Sequence, residues 1–266
     1  MSWCFKMSLP LPKGHLSFVD RWPLMEPNDM AFIIAIYLVF VFKIGPMLME
    51  KRMPFQLKGF LVFYNGFKVV NSSILSYKFL IYIMEKGLFP RRCDYDVNTL
   101  YVIAILYWKY LITKIIDLFD TIFFVIRKKR SQVTFLHVYH HVFMVIITWC
   151  SLKYDPSDHW AFMAIMNCVV HVIMYIYYGI SAMGPNYTKY LWWKKYLTML
   201  QLVQFVLVIG HVIIQTSTTE CPMGTGTYWI GLANLGLFLC LFTDFYSKRY
   251  IYKNKNTTFV CSKSSD

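Results

Sequence analysis

Long apolar stretches recur along the chain and are separated by short polar gaps. A helix needs about 20 mostly apolar residues to cross a hydrocarbon core, and a segment in lipid has to satisfy its backbone hydrogen bonds internally. Seven stretches are long enough, so the pattern predicts an all-α membrane protein with seven transmembrane helices in one bundle. They lie near residues 30–49, 59–83, 100–126, 135–152, 159–180, 196–216 and 228–247.

The gaps between these stretches leave no room for a separate soluble domain. We therefore divide the chain into an N-terminal segment (1–29), a seven-span domain (30–247) and a polar tail (248–266). The first segment has no apolar core of the kind that a cleaved signal peptide requires. We expect it to remain on the protein, on the side of the membrane opposite to the tail.

Composition agrees with a membrane protein. Hydrophobic residues make up 57% of the chain and charged residues 15%, whereas globular proteins average roughly 45–50% apolar and about 25% charged. The net charge of +13 is also found in proteins that bind nucleic acid. Here, however, the basic residues lie between the apolar stretches, where membrane topology explains them. We therefore expect membrane lipid, and no nucleic acid, among the partners.

The distribution of Lys and Arg predicts the orientation. If successive gaps alternate between the two sides, 15 basic residues fall on the side of the C-terminus and 7 on the side of the N-terminus. Cytosolic loops carry the excess of Lys and Arg. The C-terminus is therefore predicted in the cytosol, and the N-terminus in the lumen or outside the cell.

Polar side chains recur inside the predicted spans at a similar depth. At about 1.5 Å per residue, most lie roughly 7–13 Å from the cytosolic face. Ionisable residues are costly in a membrane and usually functional, so we predict one shared polar layer; His211, at roughly 22 Å, is the exception. Ordered by span, the layer comprises Asn65; Lys114, Asp117 and Asp120; His137, His140 and His141; Asn167, His171, Tyr175 and Tyr178; and Gln201 and Gln204.

Clustered histidines in a membrane serve two kinds of chemistry. One is a metal centre, as in membrane desaturases and hydroxylases, and the four histidines and two aspartates of this layer fit a mononuclear site better than a di-iron site. The other is acid–base or nucleophilic catalysis by imidazole. A receptor or transporter is a third interpretation, but it does not account for a polar layer next to basic loops. The residues alone leave the first two chemistries open.

Four short motifs occupy the layer in a fixed order. Lys114–Thr121 reads KxxDxxDT, His137–His141 reads HxxHH, His171–Tyr178 reads HxxMYxYY, and Thr198–Gln204 reads TxxQxxQ. Together they resemble the motifs of the fatty acid elongase family, the very-long-chain acyl-CoA condensing enzymes of the endoplasmic reticulum, with Asp117 in place of the usual Glu. The resemblance covers roughly residues 20–250.

The resemblance implies both a fold and a reaction. Six of the seven helices would surround a narrow acyl tunnel. The reaction would condense a long-chain acyl-CoA with malonyl-CoA to give a 3-ketoacyl-CoA, CO2 and CoA, with no metal and no organic cofactor. The protein would lie in the endoplasmic reticulum membrane, and self-association and contact with the reductase and dehydratase of the elongation cycle would be expected.

The resemblance also implies roles for residues. By its position in the motif, His140 is predicted to be the nucleophile that forms an acyl-imidazole, while His137, His141 and His171 orient it or move protons. The residues themselves do not distinguish this scheme from direct deprotonation by histidine. Other side chains of the layer that we expect near the substrates are Lys114, Asp117, Asp120, Asn167, Tyr175, Tyr178, Gln201 and Gln204. Basic side chains that we expect to meet the CoA phosphates are Arg127, Lys128, Lys194, Lys195, Lys248 and Arg249.

Two cysteines lie in gaps that are predicted to face the lumen. The lumen of the endoplasmic reticulum is oxidising, so we predict a disulfide between Cys93 and Cys221 that contributes roughly 2–4 kcal/mol to stability. Cys150, Cys168 and Cys240 lie in predicted spans, where free cysteine behaves as a small apolar residue.

Overall fold

The computed structural model describes residues 16–90, 96–156, 158–220 and 225–252. Within these ranges the chain forms seven long helices and no β-strand, so the predicted all-α class is confirmed. The helices are α1 (Pro27–Met49), α2 (Lys58–Lys86), α3 (Val97–Ile126), α4 (Phe135–Tyr154), α5 (Ala161–Ala182), α6 (Lys194–Thr218) and α7 (Thr225–Tyr246). Each coincides with one predicted span to within a few residues.

Five helical segments are long and apolar enough to cross a membrane, so the protein is a multi-pass membrane protein. They are Pro27–Met49, Phe135–Tyr154, Asp158–Ala182, Lys189–Thr218 and Gly226–Ile251. Helices α2 and α3 are outside this set and carry the charged residues Lys68, Lys114 and Asp117, all buried. The count of seven spans stays a prediction.

Local sequence signals explain where several helices begin and end. The carboxylate of Asp96 accepts a hydrogen bond from the backbone N–H of Thr99 (3.2 Å) at the start of α3. The hydroxyl of Thr134 accepts one from the N–H of His137 (3.2 Å) at the start of α4. Such side chains satisfy donors that the first turn leaves unpaired. Helix α2 ends at Gly87, whose φ of 90° suits only glycine.

Among the described residues, α2 packs most extensively against α5. A Cβ atom built on Gly179 would lie 3.5 Å from the Cβ of Asn65, so the two backbones approach closely there. Small residues permit such contacts between membrane helices. Helix α3 packs against α4, and α6 against both α5 and α7. Thus α2, α3, α4 and α5 meet around the middle of α3.

The loops that follow α1, α3, α5 and α7 meet at one end of the bundle, called the basic end here. The N–H of Phe55 donates to the carbonyl of Ile126 (3.2 Å), and the ammonium of Lys128 donates to the carbonyl of Glu50 (3.3 Å). A Cβ atom built on Gly184, in the loop after α5, would lie 3.7 Å from Nζ of Lys58, at the end of the loop after α1. The loops predicted to be cytosolic are therefore neighbours in space.

At the opposite end, the N-terminal segment packs against α3 and α4. Lys153 binds the carboxylate of Asp20 (3.0 Å) and the carbonyl of Met25 (2.9 Å). His211 also lies at this end, stacked between Phe89 and Phe162 with ring centroids 4.9 and 4.4 Å away, which explains its distance from the polar layer. The predicted bridge between Cys93 and Cys221 lies outside the described residues.

Candidate active site

A charged cluster centred on Asp117, called the Asp117 network here, lies between α2, α3 and α5. Asp117 forms an ion pair with Lys68 and a second one with Lys114 (Nζ to Oδ2, 3.3 Å). Nδ1 of His171 lies 3.6 Å from Oδ2 of the same carboxylate. Lys68, Lys114 and Asp117 are at most 2% exposed. Three helices are therefore joined by charges that have been removed from solvent.

Tyrosines extend the network to Asp120. The hydroxyl of Tyr175 lies 2.9 Å from Oδ1 of Asp117 and 2.7 Å from Oδ2 of Asp120. A hydroxyl has one proton, so it donates to one carboxylate at a time and lies between the two. Lys68 also faces the ring of Tyr175, with Nζ 5.3 Å from the ring centroid. Tyr178 packs edge-on against Tyr175 at 6.2 Å and is itself partly exposed.

Asn167 lies between the Asp117 network and the part of the bundle that contains the histidines of α4. Its Oδ1 accepts hydrogen bonds from the ammonium of Lys114 (2.5 Å) and the hydroxyl of Tyr110 (2.8 Å). Lysine is only a donor, so the carboxamide oxygen has to face Lys114. The N–H donors of Asn167 are therefore the groups that it presents on its other side.

The three histidines of the HxxHH motif lie on the adjoining face of α4. Nε2 of His137 forms a hydrogen bond with the hydroxyl of Thr121 (3.0 Å), which also accepts one from Tyr37 (2.8 Å). The ring centroids of His137 and His141 are 4.4 Å apart, and those of His140 and His141 are 5.5 Å apart. The motif thus places three imidazoles side by side, with one fixed by α3.

His140 faces a narrow cavity of about 30 Å³ between α4, α5, α6 and α7. The other polar residues in its wall are Asn167 and Gln204, and the remainder of the wall is apolar or aromatic. The ring of His140 meets that of Phe238 edge-on at a centroid distance of 5.1 Å. The cavity therefore combines an imidazole and two carboxamides with a hydrophobic wall, which suits a polar head on an apolar chain.

The structure brings together most of the predicted site residues. The Asp117 network contains Lys114, Asp117, Asp120, Asn167, His171 and Tyr175, and the cavity contains His140, Asn167 and Gln204. Gln201 is half-buried on α6 outside the wall of this cavity. The basic residues that were predicted to meet CoA lie in or next to the loops of the basic end: Arg127, Lys128, Lys194, Lys195, Lys248 and Arg249. Lys248 already pairs with Asp244 at 2.8 Å, although both are largely exposed.

Sequence reasoning missed three members of the site. Lys68, in the second predicted span, was not among the predicted site residues, and it is fully buried in an ion pair with Asp117. Tyr110 and Tyr64 were not singled out either, although each lies four residues before a buried lysine, on the same helical face. That spacing was the available signal. Tyr64 packs edge-on against Tyr175, with ring centroids 6.3 Å apart. Among the described residues, no group of three or more His, Cys, Asp or Glu side chains is arranged to hold a metal ion.

Comparisons with known proteins agree with the motifs. A family model described as "ELO: GNS1/SUR4 family" matches residues 22–258. The chain is 43% identical over 238 residues to very long chain fatty acid elongase 7 of Rattus norvegicus, covering 87% of this chain and 84% of the relative. It is 41% identical over 245 residues to very long chain fatty acid elongase 4 of Macaca mulatta, covering 90% and 77%. It is 38% identical over 240 residues to very long chain fatty acid elongase 7 of Drosophila melanogaster, covering 88% and 72%.

Proposed function

Because the chain belongs to the ELO (GNS1/SUR4) family and is a fatty acid elongase, we propose that it catalyses the condensing step of elongation. In this step a long-chain acyl-CoA and malonyl-CoA give a 3-ketoacyl-CoA with two more carbons, CO2 and CoA. The enzyme would thus be a very-long-chain 3-oxoacyl-CoA synthase. The metal-dependent oxidase or hydroxylase considered above has no support among the relatives.

One observation carries the proposal: His140 shares a narrow, mostly apolar cavity with two carboxamides, directly beside the buried Asp117 network. An acyl thioester has one polar group, its carbonyl, at the end of an apolar chain. The cavity has the same distribution of polarity, so the carbonyl would lie beside His140 and the chain would follow the apolar wall.

The first half-reaction would form an acyl-enzyme. A ring nitrogen of His140 attacks the thioester carbon, the carbon–sulfur bond breaks, and CoA leaves as a thiolate that takes up a proton. Asn167 and Gln204 line the same cavity, and their N–H groups would supply donors for the oxyanion. Because the oxygen of Asn167 is occupied by Lys114 and Tyr110, its donors are fixed toward the substrate side.

The second half-reaction would form the new carbon–carbon bond. Malonyl-CoA loses CO2, and the resulting enolate carbon attacks the acyl carbon and releases His140. His137 and His141 adjoin His140 and would move protons or stabilise the enolate. The Asp117 network would hold Asn167 and the helices in position through Lys114, Asp117, Asp120, His171 and Tyr175. A scheme in which histidine acts only as acid and base would use the same residues without a covalent intermediate.

The CoA moieties would bind at the basic end. Phosphates are recognised by Lys and Arg through charge-assisted hydrogen bonds, and this end carries Arg127, Lys128, Lys194, Lys195, Lys248 and Arg249. The acyl chain would then enter from the cytosol and extend toward the opposite end of the bundle. Tyr178 and Gln201, on α5 and α6, would line the approach.

We also propose the endoplasmic reticulum membrane as the location, with the basic end in the cytosol. A glycosylation acceptor sequence at Asn186, in the turn Pro185–Leu191 at the basic end, should then stay unmodified in microsomes. A glycan on Asn186 would show that the basic end faces the lumen and that the proposed orientation is wrong. Self-association and assembly with the reductase and dehydratase of the cycle are parts of the proposal that co-purification would test.

The deciding experiment uses the purified full chain with labelled malonyl-CoA and acyl-CoAs of varied length. We expect labelled 3-ketoacyl-CoA and, with acyl-CoA alone, a burst of about one equivalent of free CoA per site. If CoA appears only when malonyl-CoA is present, the covalent scheme is wrong and direct acid–base catalysis replaces it. If no acyl-CoA of any length yields labelled product, the proposed reaction is wrong.

A further inference from the structure

Tyr37 extends from α1 toward the histidines of α4, although α1 lies at the edge of the bundle. The described wall of the His140 cavity contains no residue of α1, and many apolar side chains of α1 are exposed, as on a helix that faces lipid. Tyr37 is only 3% exposed. Its hydroxyl lies 2.8 Å from that of Thr121, which lies 3.0 Å from Nε2 of His137. A helix outside the cavity is therefore linked to the HxxHH motif by two hydrogen bonds.

The packing of α1 against α3 holds Tyr37 in this place. Buried residues recur at every fourth position of the second half of α1: Tyr37, Val41, Gly45 and Met49. A spacing of four drifts around an α-helix, which has about 3.6 residues per turn, and the wider π-helical turn at Phe40–Ile44 offsets the drift. A Cβ atom built on Gly45 would lie 2.6 Å from Cγ1 of Val125, one turn beyond Thr121. The two helices therefore touch directly beside the two hydrogen bonds.

The two hydrogen bonds have a direction, because each hydroxyl has one hydrogen. Among the described residues, the hydroxyls of Tyr37 and Thr121 have no hydrogen-bond partners besides each other and His137. If Nε2 of His137 were a donor, one of the two hydroxyl hydrogens would be buried without an acceptor, which is costly. If Tyr37 donates to Thr121 and Thr121 donates to His137, every hydrogen has an acceptor. Nε2 of His137 therefore accepts, and the hydrogen of the ring lies on Nδ1.

We propose that Tyr37 is a positioning residue that fixes the tautomer of His137 through Thr121. With Nε2 occupied, the one polar group that His137 can offer is the hydrogen on Nδ1, and the centroid of its ring lies 4.4 Å from that of His141. Without the Tyr37 hydroxyl, Thr121 can either donate to Nε2 or accept from it, so both tautomers become populated. The consequence for catalysis rests on the proposed function, in which His137 moves protons or stabilises the enolate.

The tautomer can be measured in the full-length protein labelled with nitrogen-15 in its histidine rings. Nuclear magnetic resonance shows which ring nitrogen carries hydrogen, and the spectrum of His137→Gln identifies the signals of His137. We expect the hydrogen on Nδ1 in the unmodified protein and a mixture of both tautomers in Tyr37→Phe, which loses only the hydroxyl. Tyr77→Phe is the matched control, because Tyr77 is 63% exposed on α2, and it should leave the His137 signals unchanged.

The rate of condensation tests the consequence for catalysis. In Tyr37→Phe we expect kcat to fall roughly 2- to 10-fold, the factor that corresponds to one hydrogen bond between neutral groups. The KM for acyl-CoA should stay unchanged, because Tyr37 contacts neither substrate in the proposed arrangement. A purely structural role would not combine a lower kcat and a constant KM with a change in the His137 signals. Tyr77→Phe should match the unmodified protein in both constants.

A second variant disturbs the link and keeps Tyr37 itself. Gly45→Leu puts a side chain where Val125 already lies, so α1 has to move away from α3 and both tautomers of His137 should again be present. Gly66→Leu is its control, since a Cβ atom at that position meets nothing within 4 Å. If Tyr37→Phe does not fold, this pair of variants decides the question.

The outcomes separate this inference from the proposed function. Hydrogen on Nε2 of His137 in the unmodified protein, or unchanged signals in Tyr37→Phe, overturns the role of Tyr37 while the reaction stands. A changed tautomer with an unchanged kcat overturns the role of Tyr37 in catalysis. An unmodified protein that yields no 3-ketoacyl-CoA refutes the proposed function, whereas the His137 signals still show whether Tyr37 fixes the tautomer.

Discussion

The Asp117 network and the His140 cavity lie side by side in the bundle but differ in how their polar groups are satisfied. In the network, Lys68 and Lys114 both pair with Asp117, and all three are buried. In the cavity, His140 and Gln204 face a space with apolar walls. Groups that are fully paired hold helices together, whereas groups that face an open space can bind something that enters it.

Asn167 belongs to both regions and shows how one supports the other. Its oxygen is bound within the network, and its side chain forms part of the cavity wall. The network therefore fixes the orientation of a group that would contact the substrate. Electrostatic catalysis depends on donors that are oriented before the reaction begins. The comparison predicts that changes in the cavity reduce activity and changes in the network reduce stability.

The largest effect should follow from His140→Ala. Condensation should fall by about 10²–10⁴-fold, the usual contribution of a positioned proton-transfer group, or more if the histidine is also the nucleophile. The melting temperature in detergent should change little, because His140 lies in the wall of an open cavity. His171→Ala is the informative companion, because His171 contacts Asp117 and its loss should also lower the melting temperature. Normal condensation by a folded His140→Ala protein would contradict the assignment of the cavity as the active site.

The next largest effect should come from Asp117→Asn. Removing one partner from a buried ion pair typically costs about 3–5 kcal/mol, and here two ammonium groups lose their shared carboxylate. We expect a large loss of folded protein, measured by thermal unfolding in detergent. Asp120→Asn is the matched control, because Asp120 accepts a hydrogen bond from Tyr175 and its amide oxygen can still do so. Equal stability of the two variants would contradict the assigned role of Asp117.

A smaller effect is expected at Thr121, which fixes His137 next to the two regions. Thr121→Val keeps the shape of the side chain but removes the hydroxyl that binds His137 and Tyr37. Leaving such groups unpaired costs about 1–3 kcal/mol, and activity should fall less than it does in His140→Ala. Thr121→Ser should restore both properties, because it restores the hydroxyl. If Ser and Val variants behave alike, the hydrogen bonds of Thr121 are unimportant.

The smallest effect should lie outside both regions, at Asp96. Hydrogen bonds from Thr99 hold the pKa of the Asp96 carboxyl below its ordinary value of 3.8. A lowered pKa means that the stabilisation is complete above pH 3.8 and is lost as the pH falls through the lower value of the folded state. Asp96→Ala should therefore lower the melting temperature slightly at neutral pH, and the difference should vanish in strong acid. Activity per folded molecule should not change.

Helix positions were the part of the fold that the sequence predicted best. Apolar stretches of this length have few alternatives in a membrane, and each predicted span became a helix. The sequence also predicted in outline that the polar side chains lie at one level of the bundle, because the depth of a residue in the membrane follows from counting residues along its helix. The partners were not predicted. Whether Lys68 reaches the surface or pairs with Asp117 depends on how α2 is rotated against α3, and no single helix encodes that rotation.

The cavity was less predictable for the same reason. Trp160 and Gly231 both line the cavity and contact each other, although they are 71 positions apart: Trp160 directly precedes α5 and Gly231 lies on α7. Their contact depends on the spacing and tilt of α5 and α7, whereas a glycine in an apolar stretch and a tryptophan near a span's end are common features by themselves. His140 and Gln204 were singled out because polar residues in membrane helices are rare.

The burial of Lys68 has a consequence for the synthesis of the protein. The ammonium of Lys68 donates to the carbonyl of Thr113, which is 45 residues further along the chain. At about 5–20 residues per second, the ribosome needs roughly 2–9 s to make the strip of α3 that receives this charge. During that interval the Lys68 ammonium has no partner on α3, and a lysine at mid-membrane costs about 2.5–3.5 kcal/mol. If α2 and α3 both cross the membrane, as the sequence predicts, insertion of α2 should be more favourable once α3 has been made, and the two helices should enter the lipid as a pair.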